Sequence, residues 1–169
     1  MFYFDNALVS QVDTTARYNP GQKVIDPATG REFRYVKQIG ATTSAVGELA
    51  AVAAAANALS TGWGAVSRTA ATSLIGTIST VAVAAGVFQS VLATGKFGWV
   101  QVAGDGRVAL AVTDGNVVAG DVLIIGGGAT PIGACLRMPD GQEEAVFGYA
   151  TADDVGTVQS ASTYFLTLR

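Results

Sequence analysis

The stretch Phe97-Gly98-Trp99-Val100-Gln101-Val102, followed by Gly104-Asp105-Gly106 and then Arg107-Val108-Ala109-Leu110-Ala111-Val112, decides the fold class. Aromatic and β-branched residues crowd the first run, and such side chains pack well on a pleated, half-buried surface. A glycine-rich triplet between two runs of this kind predicts a β-hairpin with its turn at Gly104-Asp105-Gly106. Further along, Asp114-Gly115-Asn116 predicts another turn. Residues 117–125 supply one or two short strands with a bend at Gly120, and Gly126-Gly127-Gly128 loops into residues 131–136. Residues 145–149 and 163–168 complete the series. Short strands about every ten residues with glycine-rich turns indicate an all-β barrel or sandwich.

Upstream of this region the pattern is less regular. Arg31-Glu32-Phe33-Arg34-Tyr35-Val36-Lys37-Gln38-Ile39 alternates, with Phe33, Tyr35, Lys37 and Ile39 on one face and Arg34, Val36 and Gln38 on the other, as in a strand. The first thirty residues read as an extended arm, because Tyr18-Asn19-Pro20-Gly21 and Asp26-Pro27-Ala28-Thr29-Gly30 are turn signals with nothing periodic between them. The expected organisation is an arm over 1–30 and one β-rich domain over 31–169. Residues 48–59 are mostly alanine, which favours a helix because alanine loses no side-chain entropy on ordering. In a β-rich setting the same run can instead extend and pack closely. Residues 74–92 mix helical spacing with alternation, and Gly76 and Gly86 disfavour one long helix.

Composition narrows the function classes. The chain has 169 residues, no histidine and one cysteine. Without histidine, Ser-His-Asp and Cys-His catalysis and most zinc sites are excluded, so the chain reads as a non-enzyme with no cofactor and no metal. A net charge of −3 argues against a nucleic-acid partner, which would call for a basic face. The amino-terminal Met-Phe-Tyr-Phe-Asp lacks the charged and apolar regions of a secretory signal, and Cys135, in an apolar run, fits a buried and inert thiol. Gly126-Gly127-Gly128 has the wrong spacing for a phosphate loop and reads as a hairpin loop. Asp140, Glu143, Glu144, Asp153 and Asp154 do not match a calcium loop and read as solvated charges.

The distribution of charge is more informative than its sum. Residues 1–37 hold five bases and four acids, residues 38–95 hold only Glu48 and Arg68, and residues 96–169 hold eight acids and four bases. A nearly uncharged middle needs a cover. Residues 69–95 carry no charge and are long enough for a membrane-spanning helix, but they are rich in Thr, Ser and Gly and lack flanking clusters of Lys or Arg. Burial between subunits accounts better for the pattern, since interface cores are depleted in charge.

Together, the arm leading to Gly30-Arg31-Glu32-Phe33-Arg34-Tyr35-Val36, the uncharged middle, Phe97-Gly98-Trp99-Val100-Gln101-Val102, Ala119-Gly120-Asp121-Val122-Leu123 and Val146-Phe147-Gly148-Tyr149-Ala150 resemble the capsid decoration (cement) proteins of tailed bacteriophages. The resemblance spans residues 20–168 and transfers no catalytic residue. It implies a compact, mainly β body, a small barrel or sandwich of β-tulip-like form with at most one or two short helices. It also implies a homotrimer on the outer surface of the virion head, synthesised in the host cytoplasm and bound to the major capsid protein where coat subunits meet. In that setting Phe2, Tyr3, Phe4 and Tyr18 are the expected partner contacts of the arm, since aromatics bury large area at low entropic cost. Deletion of residues 1–18 is then expected to spare the oligomer and abolish capsid binding. The alternatives are a membrane-associated protein with residues 69–95 in the bilayer, or another virion part such as a head-fibre base.

Overall fold

The structure, a computed structural model, describes residues 6–52, 64–68, 84–109, 117–125, 135–137, 146–151 and 161–167. Within them the chain is mainly β. One turn of helix, α1 (Asn6–Val9), precedes β1 (Lys23–Ile25), β2 (Glu32–Gln38), β3 (Leu49–Val52), β4 (Ala65–Arg68), β5 (Ala84–Phe88) and β6 (Phe97–Ala109). Four more strands follow: β7 (Val122–Ile125), β8 (Cys135–Arg137), β9 (Val146–Ala150) and β10 (Ala161–Thr167). They form one mixed sheet in the order β1-β2-β4-β3-β5-β6-β10-β9-β7-β8, with β2 also paired to β6.

That extra pairing gives the sheet its shape. From β2 the hydrogen-bonded neighbours run through β4, β3, β5 and β6 back to β2, a barrel-like ring whose β2–β4 junction rests on two parallel residue pairs, Lys37 with Ala65 and Gln38 with Val66. One apolar cluster draws on all five ring strands: Val36 from β2, Val66 from β4, Ala50 from β3, Ala85 and Phe88 from β5, and Val100 and Val102 from β6, with Leu92 beside them. Alternation along the strands sends these side chains to one face. The other face of β2 and β6 carries Phe33, Tyr35, Phe97 and Trp99. Both faces of β2 are therefore buried, which explains why only Lys37 of its seven residues is exposed.

The hairpin expected at Gly104-Asp105-Gly106 is not there: residues 97–109 are one strand of 13 residues. Gly104, at φ +89°, bends the strand without reversing it. Inside the bend the Gln101 side-chain amide donates to the carbonyls of Ala103, Gly104 and Asp105, which a reversing turn would have directed elsewhere. Ala103 is the switch point, paired with Glu32 of β2 on one side and Thr167 of β10 on the other. Before it, β6 pairs with β2 and β5; beyond it, β6 starts a second section of sheet through β10, β9, β7 and β8.

Two further expectations change. The alanine-rich run begins as strand β3 rather than helix, paired on one edge to β4 and on the other to β5. Helix propensity favours alanine by only tenths of a kcal/mol per residue, which two sets of main-chain pairings and burial outweigh; residues 53–63 lie outside the described residues. The arm also contributes to the sheet, since β1, inside residues 1–30, pairs antiparallel with β2. Of the uncharged stretch 69–95, residues 84–88 are strand β5, bonded to β3 and β6, so no helix runs through the whole of it. Among the described residues no helix is long and apolar enough to cross a membrane.

Candidate functional site

The root of the amino-terminal arm is where sequence-predicted and unforeseen residues converge. Asp13 makes an isolated antiparallel bridge with Phe97, the two residues exchanging main-chain hydrogen bonds of 2.9 Å each way. This lays residues 13–18 across the outer face of β2 and β6. There the Tyr35 hydroxyl donates to Asp13 Oδ2 at 2.7 Å and accepts from the Arg17 amide at 3.3 Å. Arg17 Nε stands 3.7 Å from Asp13 Oδ1, and its guanidinium also donates to Gln11 Oε1 at 3.1 Å.

Around this polar centre the contacts are aromatic. Tyr18 sits edge-on to Tyr35 at 5.2 Å between centroids and lies 5.3 Å from Trp99. Tyr35 contacts Trp99 at 5.0 Å and stacks on Phe97 at 6.0 Å, while Lys37 Nζ lies 5.5 Å from the Phe97 ring. Leu8 and Val9 of α1, with Val24 of β1, complete the apolar border. Tyr35 and Trp99 are 0% and 1% exposed, so the arm root is part of the body's own packing. Burial, reinforced by the hydrogen bond to the Asp13 carboxylate, pushes the Tyr35 phenol up to about 12.

A second local device stiffens the turn between β1 and β2. Thr29 Oγ1 donates to Asp26 Oδ2 at 2.6 Å and the Ala28 amide to Oδ1 at 3.0 Å. The Thr29 hydroxyl, and after it the Ala28 amide, hold the Asp26 carboxyl below its ordinary value. This Asx turn fixes the point where the arm enters the sheet.

Of the expected contact residues, Tyr18 is half-buried against its own core, and Phe2, Tyr3 and Phe4 lie outside the described residues. Trp63, the triple glycine and the acidic residues 140, 143, 144, 153 and 154 lie outside them too. Cys135 opens β8 and pairs with Ile125. No cluster suited to a metal ion occurs among the described residues. No local sequence pattern marks Asp13, Tyr35 or Gln101 as partners. Alternation placed Tyr35 on the Phe33 face, but Asp13 sits 22 residues away in a polar run without periodicity. The chain matches no protein-family model and no curated protein.

Proposed function

We propose that the chain is a structural virion protein that decorates the outer surface of a tailed-phage head, binding as a homotrimer to the major capsid protein. The observation that carries this reading is the pinned arm root. Asp13 and Tyr18 are fastened to β2 and β6, which fixes the root of the arm that carries Phe2, Tyr3 and Phe4 in the sequence. An arm whose root is positioned on the sheet suits a grip on a neighbouring subunit. Three such arms on one trimer gain avidity of about 10²–10⁴ over a single arm when the geometry fits.

The charge-poor stretch supports a subunit interface. Within it, Ser44 bonds to the Leu92 main chain and the Gly47 amide to the Phe88 carbonyl, joining the loops before β3 and after β5. These joined loops carry Val46 and Val91, 60% and 55% exposed. Exposed valines in a charge-poor segment, whose adjacent Glu48 is itself buried, match the depleted core of an interface. Light scattering coupled to size exclusion, without detergent, is expected to give about three times the 17.1 kDa chain mass. A monomer would defeat the trimeric reading, and a chain that stays in solution only with detergent would favour the membrane-associated alternative.

A further inference from the structure

We infer that residues 6–18 form a strap that opens as a unit from the outer face of β2 and β6, uncovering Phe33, Tyr35, Phe97 and Trp99 while the ring stays folded. The inference is independent of any partner. It rests on how differently the two sides of this face are fastened. On the ring side, β2 and β6 pair directly with each other, and each carries a further strand on its opposite edge. On the strap side, residues 6–18 lie outside the strands, and their main-chain pairing to the sheet is an isolated bridge, Asp13 with Phe97.

The remaining strap contacts divide by chemistry. The pins are polar: the Tyr35 hydroxyl to Asp13 at 2.7 Å, the Arg17 amide to the same hydroxyl, and the Arg17–Asp13 ion pair. When the strap lifts, water replaces each of these, so their loss costs far less than leaving them buried and broken. The apolar contribution is confined to Leu8, Val9 and Tyr18 at the two ends of the strap, since Val12, Thr14, Thr15, Ala16 and Arg17 between them are exposed. A segment held by an isolated bridge, with apolar contacts only near its ends, opens at lower free energy than the continuously paired strands beneath it.

The same polar pins make closure specific. Asp13 is 9% exposed beside an aromatic cluster, and its Oδ2 accepts from the Tyr35 hydroxyl while Arg17 of the same strap faces Oδ1. A strap shifted by one residue would face the aromatics with Val12 or Thr14 and leave the hydroxyl unpaired. The strap therefore has one closed register and an accessible open state.

Native-state hydrogen exchange on the full chain tests this with an internal control. The Phe97 amide donates to Asp13 and the Asp13 amide to Phe97, so both report the strap, whereas the Phe88 amide donates to Glu48 and reports the ring. Asp13 and Phe97 are expected to exchange at least tenfold faster than Phe88. Tyr35→Phe should speed them a further 5- to 30-fold or so, the factor for one lost buried hydrogen bond, and leave Phe88 unchanged. Asp13→Asn, which keeps an acceptor, should give a smaller increase at the same two amides. Equal exchange of all three amides in the unmodified chain, or a uniform acceleration in both variants, would overturn the inference.

Discussion

Gly106 has no room for a side chain because the Gln101 carboxamide fills it: a Cβ on Gly106 would stand 2.6 Å from Gln101 Oε1. The same carboxamide is held by its Nε2, which donates to the Asp105 carbonyl at 2.7 Å and to those of Ala103 and Gly104 at 3.2 Å. It cannot retreat without giving up the bend that carries β6 from the ring to β10. Gly106→Ala is therefore expected to cost about 1–3 kcal/mol in chemical denaturation, and Gln101→Ala a similar amount. The two share one cause, so the double variant should cost clearly less than the sum. Strict additivity would show that Gln101 does not stabilise the bend.

Gly86 is expected to be the least replaceable glycine of the ring. Its φ is +147°, and a Cβ there would meet the Gln101 carbonyl oxygen at 2.6 Å and Val100 Cγ2 at 2.9 Å. Neither the backbone of β6 nor a core valine can yield. Gly86→Ala should cost about 3 kcal/mol or more, whereas Gly95→Ala, at φ +82° with open space around it, should cost only about 1–2 kcal/mol. Thermal melts of the two variants side by side check the contrast.

Much of this architecture is legible in the residues, and the part that is not has a physical cause. Alternation locates β2 within a residue at each end, and β-branched and aromatic content locates β6, β9 and β10. Local signals fail where tertiary pairing decides. Gly104-Asp105-Gly106 has the chemistry of a turn, yet β10 pairing to residues 103–109 and the Gln101 side chain make it a bend. Alanine-rich residues 49–52 favour a helix in isolation, but two strands already flank the position they occupy. At the arm root, the aromatic content of Tyr18 is visible in sequence while its partner is not. Tyr35 and Trp99 come to it from two distant strands that only the ring brings together.

The raised Tyr35 phenol links stability to alkaline pH. Its folded value of about 12 lies above the ordinary 10.0, so the protonated, folded form is favoured. The resulting stability is fully present below pH 10 and is lost as pH rises from 10 through about 12. Ultraviolet titration should show one of the five tyrosines ionising last, and Tyr35→Phe should remove that step and flatten the fall in stability above pH 10. An unchanged titration in Tyr35→Phe would assign the late step elsewhere.

The extent of the arm can be set by truncation. Removing residues 1–5 leaves Val9, Asp13 and Tyr18 in place and should lower the melting temperature less than the longer deletion does. Removing residues 1–18 takes away Tyr18, the Asp13–Tyr35 bond and the cover over Trp99, and should destabilise the body by about 2–5 kcal/mol. The shorter deletion, not the longer, therefore separates the grip of the arm from the integrity of the body. Equal melting of the two truncated chains would place residues 6–18 outside the packed body.

Co-sedimentation of the purified chain with undecorated phage heads, full-length and lacking residues 1–5, decides whether the chain decorates capsids through its arm. The full chain should bind saturably in multiples of three copies per site, and the truncated chain at least about a hundredfold more weakly, as expected when the arm grips of a trimer are lost together. Absence of saturable binding by the full chain would contradict the decoration reading, and undiminished binding by the truncated chain would contradict the role given to Phe2, Tyr3 and Phe4.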